Sequence, residues 1–203
     1  MFRLRRPINL CLCGIGGFGV SITRALEKIA GANLVYGYHP DATKATSWDA
    51  TKGTSQLEEA LEDRRVDAIL IATPTPSHLD LLKRCLPYRK AIYVEKPLVN
   101  NLDEVDELLA LYRNLDSPPP VFVGFKQRYI PVMRTIKTML ESGQLGEIVN
   151  VNMVFSHGGV YTLPETSWRL HEEFHKEGPL NIRGIHLFDT VHYLFGAVKQ
   201  VFA

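Results

Sequence analysis

The stretch that decides the fold is residues 8–19, INLCLCGIGGFG. Apolar residues alternate through its first half and run into the glycine pattern Gly14-x-Gly16-x-x-Gly19, after which apolar residues recur at helical spacing. The pattern predicts a strand, a tight glycine turn and a helix, in that order. In such a unit Gly14 makes the turn, Gly16 lets the backbone approach a pyrophosphate, and Gly19 lets the helix pack close to the strand. The free amides at the start of the helix favour an anion. We therefore interpret the stretch as a dinucleotide-binding loop, although a tight turn without a ligand would use the same glycines.

The composition is ordinary for a globular protein and excludes some classes of partner. The chain has 203 residues, 23 of them basic and 22 acidic, and a formal net charge of +1. This balance gives no global field that would attract nucleic acid or an anionic membrane, and no apolar run has the length of a membrane-spanning helix. We interpret Cys11, Cys13 and Cys85 as small buried residues of a reducing compartment, so we expect a cytoplasmic protein.

Strand and helix patterns alternate along the first 125 residues. After the first helix, strands are predicted at 33–38, 66–72, 91–94 and 121–125, and helices are predicted from near Ser55, over 78–85 with Ser77 as cap, and over 103–112. Such alternation predicts an α/β fold with a doubly wound parallel sheet of the Rossmann type.

The residue twenty places after Gly19 bears on the choice of cofactor. An acid at this position would bind the ribose 2′-hydroxyl of NAD, whereas His39 carries no negative charge and tolerates the 2′-phosphate of NADP. The cofactor is therefore NAD or NADP, with a lean to NADP, and Lys44 would help to hold the phosphate. The alternative is that both residues are solvated loop residues.

Two further motifs carry a resemblance to a known family. Residues 72–78, ATPTPSH, are followed some twenty residues later by residues 95–98, EKPL. Together with the glycine loop they resemble the Gfo/Idh/MocA family of NAD(P)-dependent oxidoreductases, which act mostly on sugars, sugar acids and cyclitols. In that family the lysine of Glu-Lys-Pro lies beside the nicotinamide and the substrate hydroxyl, and the proline is commonly cis.

The resemblance implies that Lys96 takes part in proton transfer. The position is physically sensible, because ligands of open α/β sheets lie beyond the carboxyl ends of the strands. Burial or nearby positive charge would lower the pKa of such a lysine and suit it to this role. The alternative is a structural salt bridge between Lys96 and Glu95 or another acid.

The resemblance continues to the end of the chain. Residues 124–129, a predicted helix over 131–142 and residues 143–148 resemble the family's domain crossover, where Lys126 stands in place of an asparagine that often contacts the cofactor. Lys126 would meet a phosphate or a substrate acid, or simply face water. Residues 149–156 alternate and predict the first strand of a second sheet.

Trp168, Arg169 and residues 178–189 resemble the family's substrate-side segment, in which a helix aims a histidine into the cleft. His186 matches the family's catalytic histidine. Many members carry an aspartate four residues earlier, where this chain has Ile182. Because isoleucine cannot transfer a proton, Lys96 and His186 would share that work.

The length is a second departure from the family. Family members usually continue for well over a hundred residues more and tend to oligomerise through the second sheet. The resemblance therefore implies a partial second domain that is short at its C-terminal end, and it leaves a homo-oligomer open but doubtful.

A competing motif lies at 171–175, where His171-Glu172-Glu173-Phe174-His175 fits the H-E-x-x-H pattern of zinc hydrolases. Gly178-Pro179 would end any helix almost at once, and the sequence signals no strong third ligand. We therefore predict no metal site.

The sequence thus predicts a Rossmann-type NAD(P)-binding domain over 1–122 and a partial α+β substrate domain over 123–203. The resemblance implies hydride transfer between nicotinamide and a secondary hydroxyl of a sugar, sugar acid or cyclitol, with Lys96 and His186 as catalytic residues. The alternative is an inactive or truncated NAD(P)-binding protein, a sensor or remnant. The expected partner is a small sugar-like substrate, not nucleic acid or a membrane. The expected cofactor contacts are Gly14, Gly16, Gly17, Phe18, Gly19, His39, Thr73, Pro74, Thr75, His78, Glu95, Lys96, Lys126, Trp168 and Arg169.

Overall fold

The computed structural model describes residues 6–49, 51–156, 158, 165 and 180–202. The chain divides into two units, Met1–Gly124 and Phe125–Ala203. The longest helix in the described residues has 12 residues, well short of the roughly 20 apolar residues that a membrane-spanning helix needs. None of the described helices could therefore cross a membrane.

The first unit contains a six-stranded parallel sheet with the strand order β3-β2-β1-β4-β5-β6. The order grows outward in both directions from the neighbours β1 and β4, so the predicted doubly wound α/β sheet is confirmed. The strands are β1 Ile8–Cys13, β2 Ala32–Tyr38, β3 Gly53–Thr54, β4 Ala68–Ile71, β5 Ala91–Val94 and β6 Val121–Val123.

Five α-helices connect these strands: α1 Gly17–Leu26, α2 Ala42–Trp48, α3 Leu57–Glu62, α4 His78–Cys85 and α5 Leu102–Arg113. The sequence patterns did not predict α2 or β3. Helix α2 is polar and short, and it begins where the Asp41 carboxylate accepts hydrogen bonds from the amides of Thr43 and Lys44. Strand β3 has two residues, which is too few to show an alternation of apolar and polar side chains.

The core lies where the middle strands pack against α3 and α4. Ile69 and Ile92 on neighbouring strands are fully buried, as an apolar strand with both faces covered requires. Cys11, Cys13 and Cys85 are buried and form no disulfide. Burial raises the pKa of Cys85 to about 12, so this thiol stays protonated and packs as a small apolar group.

The structure confirms one predicted helix start and corrects one predicted cap. Helix α3 begins at Leu57, two residues after Ser55, and Thr54 organises the turn before it: its hydroxyl accepts from the Gln56 amide (3.0 Å) and donates to Glu59 (2.7 Å). Helix α4 does begin at His78, but the Ser77 hydroxyl donates to the Pro74 carbonyl (2.8 Å), lies 2.7 Å from the Thr73 hydroxyl and does not cap the helix.

The second unit is largely helical in its described residues. It contains a 3-10 turn at Lys126–Tyr129, α6 at Pro131–Glu141, a π-helical turn at Leu180–Gly184, and α7 at Ile185–Phe195. The strand predicted over 149–156 is wrong, since these residues form no strand. Alternation shows only that one face would be apolar, whereas a strand also needs a hydrogen-bonded neighbour. In the part of the unit that is described, Val149 (93%) and Val154 (82%) lie exposed instead.

Candidate functional site

The candidate site of the first unit lies at the carboxyl ends of its parallel strands. There the first residue after a strand donates its amide hydrogen to the carbonyl oxygen of the last residue of the neighbouring strand. These bonds run from Gly14 to Tyr38 (3.2 Å), from Ala72 to Cys13 (2.8 Å), from Glu95 to Ile71 (2.8 Å) and from Gly124 to Val94 (2.8 Å). They bring the glycine turn, the segment 72–78 and the Glu95–Lys96 turn into one row at one edge of the sheet.

The glycines of the turn have two different roles. Gly14 has a φ of +95°, and a Cβ there would lie 2.7 Å from the carbonyl carbon of Ala72. A Cβ at Gly19 would overlap the carbonyl oxygen of Gly14. A Cβ at Gly16 or Gly17 would meet no atom within 4 Å. Gly14 and Gly19 are thus required by chain packing, whereas Gly16 and Gly17 border open space.

The residues at the start of α1 fit a dinucleotide. The first hydrogen bond of the helix runs from the Val20 amide to the Gly16 carbonyl (2.9 Å), so the amides before Val20 have no partner within the helix. Gly16, at the cap position, offers no side-chain acceptor, and the first turn holds no acid. The amides of Gly17, Phe18 and Gly19 therefore suit a pyrophosphate, which the positive end of the helix dipole also favours.

His39 follows β2 at the end of the strand that borders the glycine turn. Its ring Nδ1 accepts the Asp41 amide hydrogen (3.0 Å), which places the ring proton of the neutral imidazole on Nε2. The amides of Lys44 and Thr43 hold the pKa of Asp41 below its usual value, and this carboxylate is occupied in capping α2. An imidazole, and not a carboxylate, therefore follows β2 at the position where an acid would bind a ribose. The lean to NADP stays a prediction.

The segment 73–78 is fastened to the Glu-Lys-Pro turn by a buried histidine. The side chain of His78 is 1% exposed. Its Nδ1 lies 2.9 Å from the Pro97 carbonyl oxygen, and its Nε2 lies 3.0 Å from that of Thr73. Because burial disfavours the charged ring, the pKa of His78 is lowered. Thr75 is also buried, whereas Pro74 is exposed. The predicted cofactor contact of His78 stays a prediction, while its position makes it a bridge between two loops.

Glu95 holds the backbone of the turn that carries Lys96. The Tyr93 hydroxyl donates to Oε1 of Glu95 (2.5 Å), and the Lys96 amide donates to its Oε2 (3.3 Å). Gly124 is required beside this pair, because a Cβ there would lie 2.6 Å from the Tyr93 hydroxyl. The Lys96–Pro97 peptide bond is cis, as the resemblance implied, and Lys96 is half-buried.

The second unit carries the remaining candidates. Lys126 is exposed in the 3-10 turn, and His186 lies in the first turn of α7 with 8% of its surface exposed. The ring centroids of His186 and Phe155 are 6.1 Å apart. Trp168, Arg169 and the histidines of the H-E-x-x-H motif lie outside the described residues. Within the described part of the chain, no three His, Cys, Asp or Glu side chains are grouped to hold a metal ion.

Sequence reasoning missed one polar pair of this unit. Arg128 and Asp189 form a bidentate ion pair that connects the 3-10 turn to α7. The available signal was the helical spacing of Asp189, three residues after His186 and thus on a neighbouring face of one helix.

Residues 8–125 match the family described as "Oxidoreductase family, NAD-binding Rossmann fold", and residues 133–203 match the "GFO/IDH/MocA C-terminal domain". The chain belongs to the Gfo/Idh/MocA oxidoreductases. Members of this family include NAD(P)-dependent dehydrogenases.

Two relatives of this chain are named as dehydrogenases of inositol and of glucose 6-phosphate. Inositol 2-dehydrogenase 2 of Mycolicibacterium vanbaalenii is 26% identical over 93% of this chain and 54% of its own length. Glucose-6-phosphate 3-dehydrogenase of Bacillus subtilis is 28% identical over 91% of this chain and 53% of its own. A crystal structure of myo-inositol dehydrogenase from Lactobacillus casei with NAD(H) and myo-inositol has a TM-score of 0.72 and 21% identity, and the match covers 93% of this chain and 54% of that one. The last likeness shows the fold, and the chain spans about half the length of these relatives.

Replacing Gly19 by alanine should destabilise the first unit by about 3 kcal/mol, because the new methyl group overlaps the Gly14 carbonyl oxygen and forces the helix away from the turn. Urea denaturation of the full chain measures this loss. Gly17→Ala is the matched control, since its methyl group enters open space, and its free energy of unfolding should stay within about 0.5 kcal/mol of the parent. Equal denaturation midpoints for the two variants would contradict this account of Gly19.

Replacing His78 by glutamine should remove part of the pH dependence of stability. The unfolded chain binds a proton at this imidazole near its ordinary pKa of about 6.5, but the folded protein binds it only at lower pH. The parent therefore loses stability as the pH falls below about 6.5, and the variant lacks this contribution. At pH 7.5 the variant should be less stable by about 1–3 kcal/mol, because the flexible glutamine side chain does not reproduce the packing of the buried ring or its hydrogen bond to a backbone carbonyl.

Urea midpoints at pH 7.5 and pH 5.5 test the His78 prediction, and the gap between parent and variant should narrow at the lower pH. His192→Gln, at an exposed position of α7, is the matched control for the substitution itself. A gap that stays constant for His78→Gln would show that this ring does not titrate on unfolding.

Proposed function

We propose that this chain transfers hydride between the nicotinamide of NAD or NADP and a secondary hydroxyl of a sugar, sugar acid or cyclitol. The observation that carries the proposal is the row formed by the glycine turn, the segment 72–78 and the Glu95–Lys96 turn at one edge of the sheet, in a chain of this oxidoreductase family. Open α/β sheets bind their ligands beyond this edge.

The first unit supplies most of the proposed cofactor contacts. The amides from Gly16 to Gly19 hold the pyrophosphate, and His39 lies toward the adenosine ribose. Thr73 to His78 form a wall for the nicotinamide, and Lys126, Trp168 and Arg169 complete the set. When bound, the nicotinamide supplies or accepts the hydride. The protein contributes binding and orientation.

Lys96 and His186 hold and return the proton of the substrate hydroxyl. Glu95 supports this role indirectly, because its carboxylate fixes the backbone of the turn through the Lys96 amide and is itself fixed by Tyr93. Ile182 stands where many family members carry an aspartate. Because an isoleucine takes up no proton, Lys96 and His186 carry out the proton transfer.

The substrate class follows from relatives and not from a contact in this chain. Proteins named inositol 2-dehydrogenase and glucose-6-phosphate 3-dehydrogenase are 26% and 28% identical to it. Both substrates present several secondary hydroxyls on a ring, which supports a polyhydroxylated partner. The free buried cysteines are in keeping with a cytoplasmic protein.

A second candidate function is cofactor binding without turnover, as in a sensor. Ile182 favours it, since the position that carries an aspartate in many members offers no proton carrier here. The retained Lys96 and His186 favour the dehydrogenase.

Two experiments distinguish the candidates. The first titrates the purified chain with NADH and NADPH and follows nicotinamide fluorescence. The second scans inositols, sugar phosphates and sugar acids for an absorbance change at the nicotinamide band. Binding with turnover supports the dehydrogenase. Binding without turnover supports the second candidate, and the absence of binding would contradict both.

Replacing Lys96 by alanine should lower turnover by about 10²–10⁴-fold, because a positioned proton carrier is lost. Cofactor affinity should stay within about twofold, since the glycine-turn amides that hold the pyrophosphate are unchanged. Steady-state kinetics and NADH titration measure the two effects. Lys83→Ala is the matched control, because it removes a lysine of the same unit whose partner is Glu107 on α5. An unchanged rate in Lys96→Ala would remove this lysine from the mechanism.

Replacing His39 by aspartate should shift the ratio of NADH to NADPH affinity toward NADH by at least about tenfold. The carboxylate repels a 2′-phosphate and accepts a hydrogen bond from a free 2′-hydroxyl. His39→Asn is the control, since it changes the shape without adding charge, and it should leave the ratio near that of the parent. If the aspartate variant keeps the parent's ratio, His39 does not face the ribose.

A further inference from the structure

Arg128 and Asp189 form a bidentate ion pair with a well-defined geometry. The Arg128 Nε lies 3.0 Å from each carboxylate oxygen of Asp189, and Nη2 donates to Oδ1 as well. The Asp189 side chain is 5% exposed, whereas that of Arg128 is 42% exposed. The carboxylate therefore lies inside the second unit and the guanidinium closes over it. A bidentate pair of this kind fixes direction as well as distance.

Two aromatic rings lie against the Arg128 guanidinium. The Arg128 Cζ lies 5.9 Å from the ring centroid of Phe125 and 5.6 Å from that of Tyr193. The Lys137 ammonium of α6 lies 5.7 Å from the same Tyr193 ring. Phe125, just before the 3-10 turn, and Tyr193 of α7 thus flank the Arg128 guanidinium, which restricts its choice of rotamer.

The pair lies next to His186 along the same helix. Asp189 follows His186 by three residues, so one helical turn separates the two side chains. The Thr190 hydroxyl donates to the His186 carbonyl (2.7 Å), which ties the same turn together. The preceding residues Leu180–Gly184 form a wider π-helical turn. The first turn of α7, which carries His186, therefore follows a π-helical turn and not a regular α-helix.

Asp189 does not replace the proton carrier that is missing at Ile182. Its two oxygens already accept the hydrogen bonds of Arg128, and its side chain is almost fully buried. A carboxylate whose oxygens are occupied in this way is held in one place, which suits it to positioning.

We propose that Arg128 and Asp189 are a positioning pair that sets the orientation of His186 on α7 relative to the turn that carries Lys126. The inference rests on the proposed function for the role of His186 in turnover. The orientation of the ring itself is measurable without turnover.

The test uses the full chain with Asp189→Asn, which keeps the shape and removes the charge, and Arg128→Lys, which keeps the charge and removes the bidentate geometry. Side-chain ¹H–¹⁵N spectra report on the histidine rings, and the resonances of His186 are those lost in His186→Gln. Both variants should move the His186 resonances. Both should lower kcat by about 10- to 100-fold while changing NADH affinity by less than about twofold.

Two controls separate positioning from general stability. Glu107→Gln breaks an ion pair in the first unit, and Lys137→Met removes the second cation near Tyr193 and leaves the pair intact. Neither control should move the His186 resonances. If Asp189→Asn fails to fold, Arg128→Lys decides by the same readouts.

His186 resonances that stay in place in a folded variant of the pair would overturn the proposal, as would a fall in NADH affinity equal to the fall in kcat. A parent chain without turnover would contradict the proposed dehydrogenase function, and the spectra alone would then decide the role of the pair.

Discussion

The parallel register of the sheet, closed at its carboxyl edge by backbone hydrogen bonds, is the constraint on which the candidate site depends. Each strand ends at the same edge, and the residue that follows it donates its amide to the neighbouring strand. Glu95 is held to Ile71 in this way, and Gly124 to Val94, both at 2.8 Å. The loops therefore leave the sheet from fixed points. Gly14 belongs to the same constraint, because any side chain there would displace the Ala72 peptide.

Buried polar groups add a second level of order to these loops. His78 joins the Thr73 and Pro97 carbonyls, and Glu95 joins Tyr93 to the Lys96 amide. Each contact costs desolvation of a polar group and is stable only because its partners are in place. The benefit is precision, since the backbone next to Lys96 is held from two directions. Arg128 and Asp189 have the same character in the second unit, where a buried carboxylate holds the helix that carries His186.

Two positions distinguish this chain from the pattern that its family motifs imply, and both remove a carboxylate. His39 replaces the acid that would bind a ribose, and its ring is fixed by the Asp41 amide. Ile182 replaces the aspartate that precedes the histidine in many members. In the proposed enzyme, the first change would favour NADP and the second would leave proton transfer to Lys96 and His186. In the proposed enzyme, recognition and chemistry therefore rely on neutral and cationic groups.

The sequence by itself determined the features that depend on local pattern. Strand β5 and helix α4 have the bounds that periodicity predicted, 91–94 and 78–85, and the glycine spacing located the turn before α1. These features follow from short-range sterics and apolar spacing, which neighbouring residues encode. Only the tertiary structure decided that residues 149–156 form no strand, because a strand needs a partner that no local pattern supplies. It also decided that His78 reaches Pro97, 19 residues away, and that Arg128 meets Asp189, 61 residues away. Such contacts depend on how elements are brought together in space, and for that physical reason the sequence identified the candidate residues but not what holds them.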